Sequence, residues 1–194
     1  METAQVIIFI LRNFKTIVKI VFWILVFIIM AVTMMTYGMA MIFGSYDITN
    51  PGNPVFAGGY CFPLGVPFTY TSLWGDDRGD YIHHGVDMAV PVGSPLYAVQ
   101  NGEIDYKQIE SIGGIAIGLK ADDGNWYYYA HLSTYAPGVA KGTRISGGQV
   151  IGYSGNTGVS TGPHLHFGIK QNGNWIDPLP FLKQIEKEVK LAKN

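Results

Sequence analysis

Residues 161–176 read Thr-Gly-Pro-His-Leu-His-Phe-Gly-Ile-Lys-Gln-Asn-Gly-Asn-Trp-Ile. On a strand, side chains two apart face the same way, roughly 6.5–7 Å along the chain. His164 and His166 therefore share one face, while Leu165 and Phe167 enter a core. Gln171-Asn172-Gly173-Asn174 interrupts the run, and Asn-Gly between two strand-like segments is a strong hairpin signal. Further out, 115–120 and 126–132 flank Ala121-Asp122-Asp123-Gly124-Asn125, a second hairpin with an Asp-Gly turn. From about Cys61 onward, short apolar runs alternate with Gly, Pro, Asn and Asp every 8–12 residues, as in sandwiches and small barrels. The segment 180–192 differs: Phe181, Leu182, Ile185 and Val189 recur on one helical face, with Lys183, Lys187 and Lys190 opposite or at its rim. The predicted fold class is mainly β, a compact antiparallel core closed by a short C-terminal helix.

The N-terminal part obeys another rule. Residues 20–44 carry no charged side chain over 25 positions, and about 20 apolar residues cross a bilayer. Arg12, Lys15 and Lys19 precede the run and Asp47 follows it, so the positive-inside rule puts the N-terminus in the cytoplasm and everything after Ser45 outside. A cleaved signal peptide fits less well. Its apolar region is about 7–15 residues and ends in small residues, whereas this one is longer and ends Met-Ile-Phe-Gly. The expected layout is a cytoplasmic segment over 1–19, a transmembrane anchor over 20–44, a linker over 45–60 and a folded domain over 61–194. The linker is rich in Asn, Pro and Gly and reaches at most ~55 Å when extended.

From residue 47 on there are ten Lys/Arg against thirteen Asp/Glu, a net charge of −3 (10 − 13). That balance excludes the basic footprint of a nucleic-acid-binding face. One cysteine, Cys61, excludes an intrachain disulfide. The glycine-rich stretch 152–162 lets backbone approach a ligand, but no Gly-Lys-Ser/Thr follows it, so it is not a phosphate loop.

All five histidines fall in three places: His83-His84-Gly85-Val86-Asp87, His131, and His164-Leu165-His166. His with Asp suits zinc, and three protein ligands with an open fourth position is the catalytic type of site. Imidazoles not used as ligands move protons near neutral pH. Gly85 and the β-character of Met88-Ala89-Val90 argue against a helix at 83–87, so this is not the helical His-Glu-x-x-His arrangement. Strict alternation along Tyr127-Tyr128-Tyr129-Ala130-His131 puts His131 on one face with Tyr127 and Tyr129. Trp74, Tyr129 and Tyr153 are candidate groove walls.

These motifs resemble the lysostaphin/LytM family of zinc metalloendopeptidases, which cut peptide bonds in bacterial peptidoglycan. The match runs from about Pro63 to Leu182. The family's H-x-G-x-D reads as His83-His84-Gly85-Val86-Asp87. Its G-[ST]-P and A-x-x-x-G read as Gly93-Ser94-Pro95 and Ala98 to Gly102. Its Y-x-H-L reads as Tyr129-Ala130-His131-Leu132, and its T-G-x-H-L-H-F as Thr161 to Phe167; a final D-P stands at Asp177-Pro178. The resemblance implies a LytM-like antiparallel sheet with a duplicated hybrid motif, Zn²⁺ held by His83, Asp87 and His166, and a catalytic pair, His131 and His164. His84 falls at a variable position and is read as a flanking residue. The family's S-x-F-G-x-R resembles Ser72-Leu73-Trp74-Gly75-Asp76-Asp77-Arg78, with Trp for Phe and one extra residue beside the groove.

The expected function is membrane-anchored, zinc-dependent hydrolysis of peptidoglycan peptides, with one imidazole of the pair taking the water proton and the other stabilising the oxyanion. The residues leave open which histidine does which, and whether the bond is in a stem peptide, a diaminopimelate cross-link or a glycine bridge. A catalytically silent scaffold of the same fold, binding wall peptides or a partner protein, is the alternative. A cupin-type barrel also begins from His-x-His. It requires a further histidine downstream, and none follows His166.

Overall fold

In the computed structural model, residues 16, 18, 19, 21–30, 54–79 and 81–192 are described, and the chain divides into two units, Met1–Gly44 and Ser45–Asn194. In the first, residues 21–30 are helical and carry exposed apolar side chains, among them Phe22, Trp23 and Phe27. Among the described residues no helix is long and apolar enough to cross a membrane. The rest of the expected anchor, residues 20 and 31–44, lies outside the described residues.

The second unit is an antiparallel sheet of ten strands among the described residues. Its strands are β3 (Thr69–Ser72), β4 (Val86–Ala89), β5 (Pro95–Tyr97), β6 (Gly102–Glu110), β7 (Gly114–Ala121), β8 (Trp126–Tyr135), β9 (Arg144–Ile145), β10 (Val150–Ser154), β11 (His164–Gln171) and β12 (Asn174–Ile176). They run in the order β3-β4-β11-β8-β7-β6-β9, with β12 paired to β11 and β10 bridging β5 and β8. Both expected hairpins form, as β7–β8 and β11–β12. The β11–β12 turn takes Asn172 at φ 52° and Gly173 at φ 83°. Two successive positive φ angles are what a two-residue hairpin turn needs to match strand twist, and Asn-Gly adopts them at least cost.

One face of the central strands is dry. Val86, Met88, Leu165, Phe167, Tyr127, Tyr129, Ile117 and Leu119 are fully buried. The C-terminal helix, Leu179–Ala192, closes this core with Leu182, Ile185 and Val189, all buried. Phe181 meets Tyr60 edge-on at 5.1 Å, and the Tyr70 hydroxyl donates to Glu186 Oε1 at 2.6 Å. Cys61 is buried, which pushes its thiol up to about 12 and makes it an inert core residue.

Part of the expected 45–60 linker is folded. Two short strands, β1 (Phe56–Ala57) and β2 (Tyr60–Cys61), pair around Gly58-Gly59, and Val55, Ala57 and Tyr60 pack on the core. Composition rich in Pro, Gly and Asn marks turns as well as linkers, and the interspersed Val, Phe and Tyr supply enough apolar surface to hold a hairpin down.

Candidate metal and catalytic site

The opposite face of the same strands carries the polar side chains. Asp87 of β4 pairs directly with His166 of β11, which in turn pairs with Ala130 of β8. Direct antiparallel partners project to the same side, so strand register alone sets Asp87 beside His166. His83 lies in the turn leading into β4. The three side chains meet: His83 Nε2 to Asp87 Oδ1 is 3.0 Å, His166 Nδ1 to Asp87 Oδ1 is 2.9 Å, and His83 Nε2 to His166 Nδ1 is 2.9 Å.

The tautomers follow from the neighbours. His83 Nδ1 is 2.7 Å from the Leu73 carbonyl, which only accepts, so Nδ1 carries the hydrogen and neutral Nε2 presents a lone pair. Lone pairs of two imidazoles and a carboxylate then converge at about hydrogen-bond distance. A proton can bridge one edge of such a triangle, whereas a divalent cation serves all three corners. Two nitrogens and a carboxylate oxygen are a donor set that suits zinc. Among the described residues these three are the cluster able to hold a metal ion. Burial pushes the Asp87 carboxyl up, but the facing imidazoles of His166 and His83, whose protonated forms would pair with the carboxylate, outweigh it and hold the group well below the usual carboxylate range.

His131 and His164 stand beside this triangle, with rings 4.5 Å apart. His131 Nδ1 donates to the Thr157 carbonyl at 2.7 Å, and His164 Nδ1 to the Gly162 carbonyl at 2.7 Å. Each therefore keeps an Nε2 lone pair when neutral, and His164 Nε2 lies 3.7 Å from Asp87 Oδ1. The glycine-rich stretch supplies both carbonyls. Thr157 is itself pinned: its hydroxyl donates to the Leu132 carbonyl at 2.7 Å and accepts the Ile115 N–H at 3.0 Å.

Strict alternation fails at His131. Tyr127 and Tyr129 are core residues, and the Tyr129 hydroxyl accepts the Val99 N–H at 3.0 Å, so Tyr129 is no groove wall. Between Ile115 and Ile117 the register skips, so β8 holds one more residue than β7 between the pairs Ile115–Leu132 and Ile117–Tyr129. His131 sits in this bulge at φ 63°. The extra residue restores Leu132 to the core and turns His131 to the site face, at a backbone cost of about 1–2 kcal/mol for a non-glycine left-handed residue. Tyr153 packs against the core as well. Trp74 instead lies against His84, which also stacks on Trp175.

The aromatic that reaches the site is Tyr128, edge-on to His166 at 5.9 Å and stacked on Trp126. Its hydroxyl donates to Glu110, and burial with this acceptor raises its pKa, keeping the phenol protonated at neutral pH.

Gly85 shows why the motif needs glycine. A Cβ there would lie 2.5 Å from His166 Cε1, 2.6 Å from His166 Nε2 and 2.7 Å from the Phe167 carbonyl oxygen. Gly85→Ala is expected to cost about 1–3 kcal/mol of stability by overpacking and to displace the His166 ring. Denaturation together with chelator competition for zinc reads both, and wild-type values in each would contradict this account.

Burial, with the neighbouring His164 and His166, outweighs the Thr157 hydrogen bond and the Asp87 charge and lowers the His131 pKa from 6.5 to about 4. Between these pH values the unfolded chain takes up a proton that the folded chain refuses. Stability should thus fall as pH drops through the window, by about 3 kcal/mol for this group. His131→Asn removes the titration, and Asn tolerates positive φ. The metal-free variant should show a smaller change of denaturant midpoint across the window than wild type, with buried His166, also depressed, still contributing; a pH dependence unchanged in the variant would refute the assignment.

The family model for peptidase family M23 matches residues 81–178, and the chain belongs to that family. It is 35% identical over 146 residues to the L-Ala--D-Glu endopeptidase of Bacillus subtilis (strain 168), covering 67% of this chain and 45% of that protein. The catalytic domain of the antimicrobial peptidase lysostaphin from Staphylococcus simulans superposes with a TM-score of 0.55 at 37% identity, over 60% of this chain and 92% of that one. A zinc-containing peptidase from Vibrio cholerae gives a TM-score of 0.53 at 27% identity, over 64% of this chain and 37% of that one. The chain spans less than half the length of the Bacillus relative.

Proposed function

We propose that this protein is a zinc endopeptidase that hydrolyses peptide bonds of bacterial cell-wall peptidoglycan, anchored in the membrane by residues 20–44 with its folded unit outside. One observation carries the reading: three lone-pair atoms of His83, Asp87 and His166 within 3.0 Å of one another, with the His131–His164 pair alongside. The name of the Bacillus relative, an endopeptidase for the L-Ala–D-Glu bond, supports the substrate class. The zinc-containing Vibrio structure supports the metal.

His83, Asp87 and His166 would hold the ion, which when bound supplies Lewis-acid chemistry by polarising a carbonyl and activating water. The chain's own residues do the rest. His131 is neutral at physiological pH because burial depresses it, so its Nε2 accepts a proton. Thr157 and Gly162 hold Nδ1–H of His131 and His164 in place, which keeps both Nε2 atoms aimed inward. A proton accepted by one imidazole is then available to the departing amine, while a donating imidazole stabilises the charge that develops on the carbonyl oxygen.

The test is digestion of purified peptidoglycan by the zinc-loaded protein, with mass analysis of the released peptides. Shortened stem peptides or cross-links are expected. Binding of wall peptides without any cleavage would instead identify the silent scaffold. For the anchor, alkaline carbonate washing should leave the full chain with membranes and release a chain beginning at Ser45; release of both would remove the anchor from the proposal.

A further inference from the structure

Two of the three candidate ligands hang from one short loop. Ser72, the last residue of β3, pairs with Asp87 of β4. Its hydroxyl donates to Asp76 Oδ2 at 2.6 Å, and the same oxygen accepts the Leu73 N–H at 2.9 Å. The Leu73 carbonyl holds His83 Nδ1. Arg78 Nη2 donates to Ser72 Oγ at 2.8 Å and to Asp87 Oδ2 at 2.6 Å. Asp76 thus organises both branches, and it lies where the loop departs from S-x-F-G-x-R by its extra residue.

A carboxylate can offer a metal one oxygen or two. Here the second oxygen of Asp87 is taken by a charge-assisted bond to a guanidinium, while Oδ1 faces His83 and His166. We propose that Arg78 is a positioning residue for the metal centre: it restricts Asp87 to ligation through one oxygen, and with Ser72 and Asp76 it fixes the place of His83 through the Leu73 carbonyl. The consequence is a coordination position kept free for water and substrate. This inference rests on the zinc reading above.

The experiment uses the full chain and three variants, Arg78→Ala, Arg78→Lys and Asp76→Ala, with Arg144→Ala as a control that breaks an exposed ion pair with Asp122. Zinc affinity is measured by chelator competition, and coordination number by the visible absorption of the cobalt(II)-loaded proteins. Arg78→Ala should weaken zinc binding about 10–100-fold, the usual effect of losing a partner of a metal ligand. Its cobalt spectrum should lose the intensity of a four-coordinate site as Asp87 engages through both oxygens. Asp76→Ala should weaken zinc binding without that spectral change, because Arg78 still holds Oδ2. Arg78→Lys should recover part of the affinity through its charge, and it carries the test alone if Arg78→Ala does not fold. Arg144→Ala should match wild type. Wild-type zinc affinity and cobalt spectrum in the Arg78 variants would overturn the positioning role and leave the endopeptidase reading standing. A wild-type protein that binds no zinc would overturn both.

Discussion

Replacing His166 by alanine is expected to empty the metal site and stop peptide release from cell walls. His166 Nδ1 is one corner of a triangle with edges of 2.9–3.0 Å, and His164 Nε2, 3.7 Å from Asp87 Oδ1, stands outside it. Loss of a ligand should exceed the 10–100-fold effect of losing a ligand's partner, so zinc affinity should fall by more than about 10²-fold. The fold should persist. Leu165 and Phe167, the neighbours that enter the core, are untouched, and His166 itself faces the site. Far-ultraviolet circular dichroism, metal analysis after dialysis and wall digestion together check this. A variant that keeps its zinc and still releases peptides would show that the ion sits elsewhere.

The second large effect separates binding from chemistry. His131→Ala and His164→Ala should each retain zinc, because neither contributes an atom to the triangle, yet each should lower kcat by about 10²–10⁴-fold, the usual worth of a positioned acid or base. The double variant should be little worse than the poorer single one, since the two imidazoles act as a unit on one reacting centre and such losses do not add. Metal stoichiometry and turnover on wall peptides are the measurements. Full turnover in either variant would remove that histidine from the chemistry.

Much of the sheet was legible because period-two alternation and Asn-Gly or Asp-Gly turns are local signals. His164-Leu165-His166 declares its own geometry: one residue in, two out. Asp87 opposite His166 is not declared, because pairing of β4 with β11 joins residues 79 apart, and only the resemblance pointed to that meeting. The position of His131 was misread by alternation, since a bulge with a left-handed histidine leaves no mark in residue pattern. Tyr128, rather than Tyr129, reaching the site follows from the buried parity of Tyr127 and Tyr129. The hairpin at 56–61 was hidden by its composition. Arg78 was visible as a motif position, but its bond to Asp87 needed the fold of the 72–78 loop.

Three of the imidazoles are gripped by peptide carbonyls, those of Leu73, Thr157 and Gly162. A carbonyl is present whatever amino acid occupies the position, so replacement of these three residues one at a time leaves the acceptor chemically intact. Changes of loop length do not, because they slide the oxygen out from under the ring. The centre should therefore tolerate lineage-to-lineage drift at Leu73 and Gly162, and less at Thr157, whose hydroxyl pins its own carbonyl through Leu132 and Ile115, while rejecting single-residue insertions and deletions at all three points. Deep mutational scanning that includes indels would display that contrast directly.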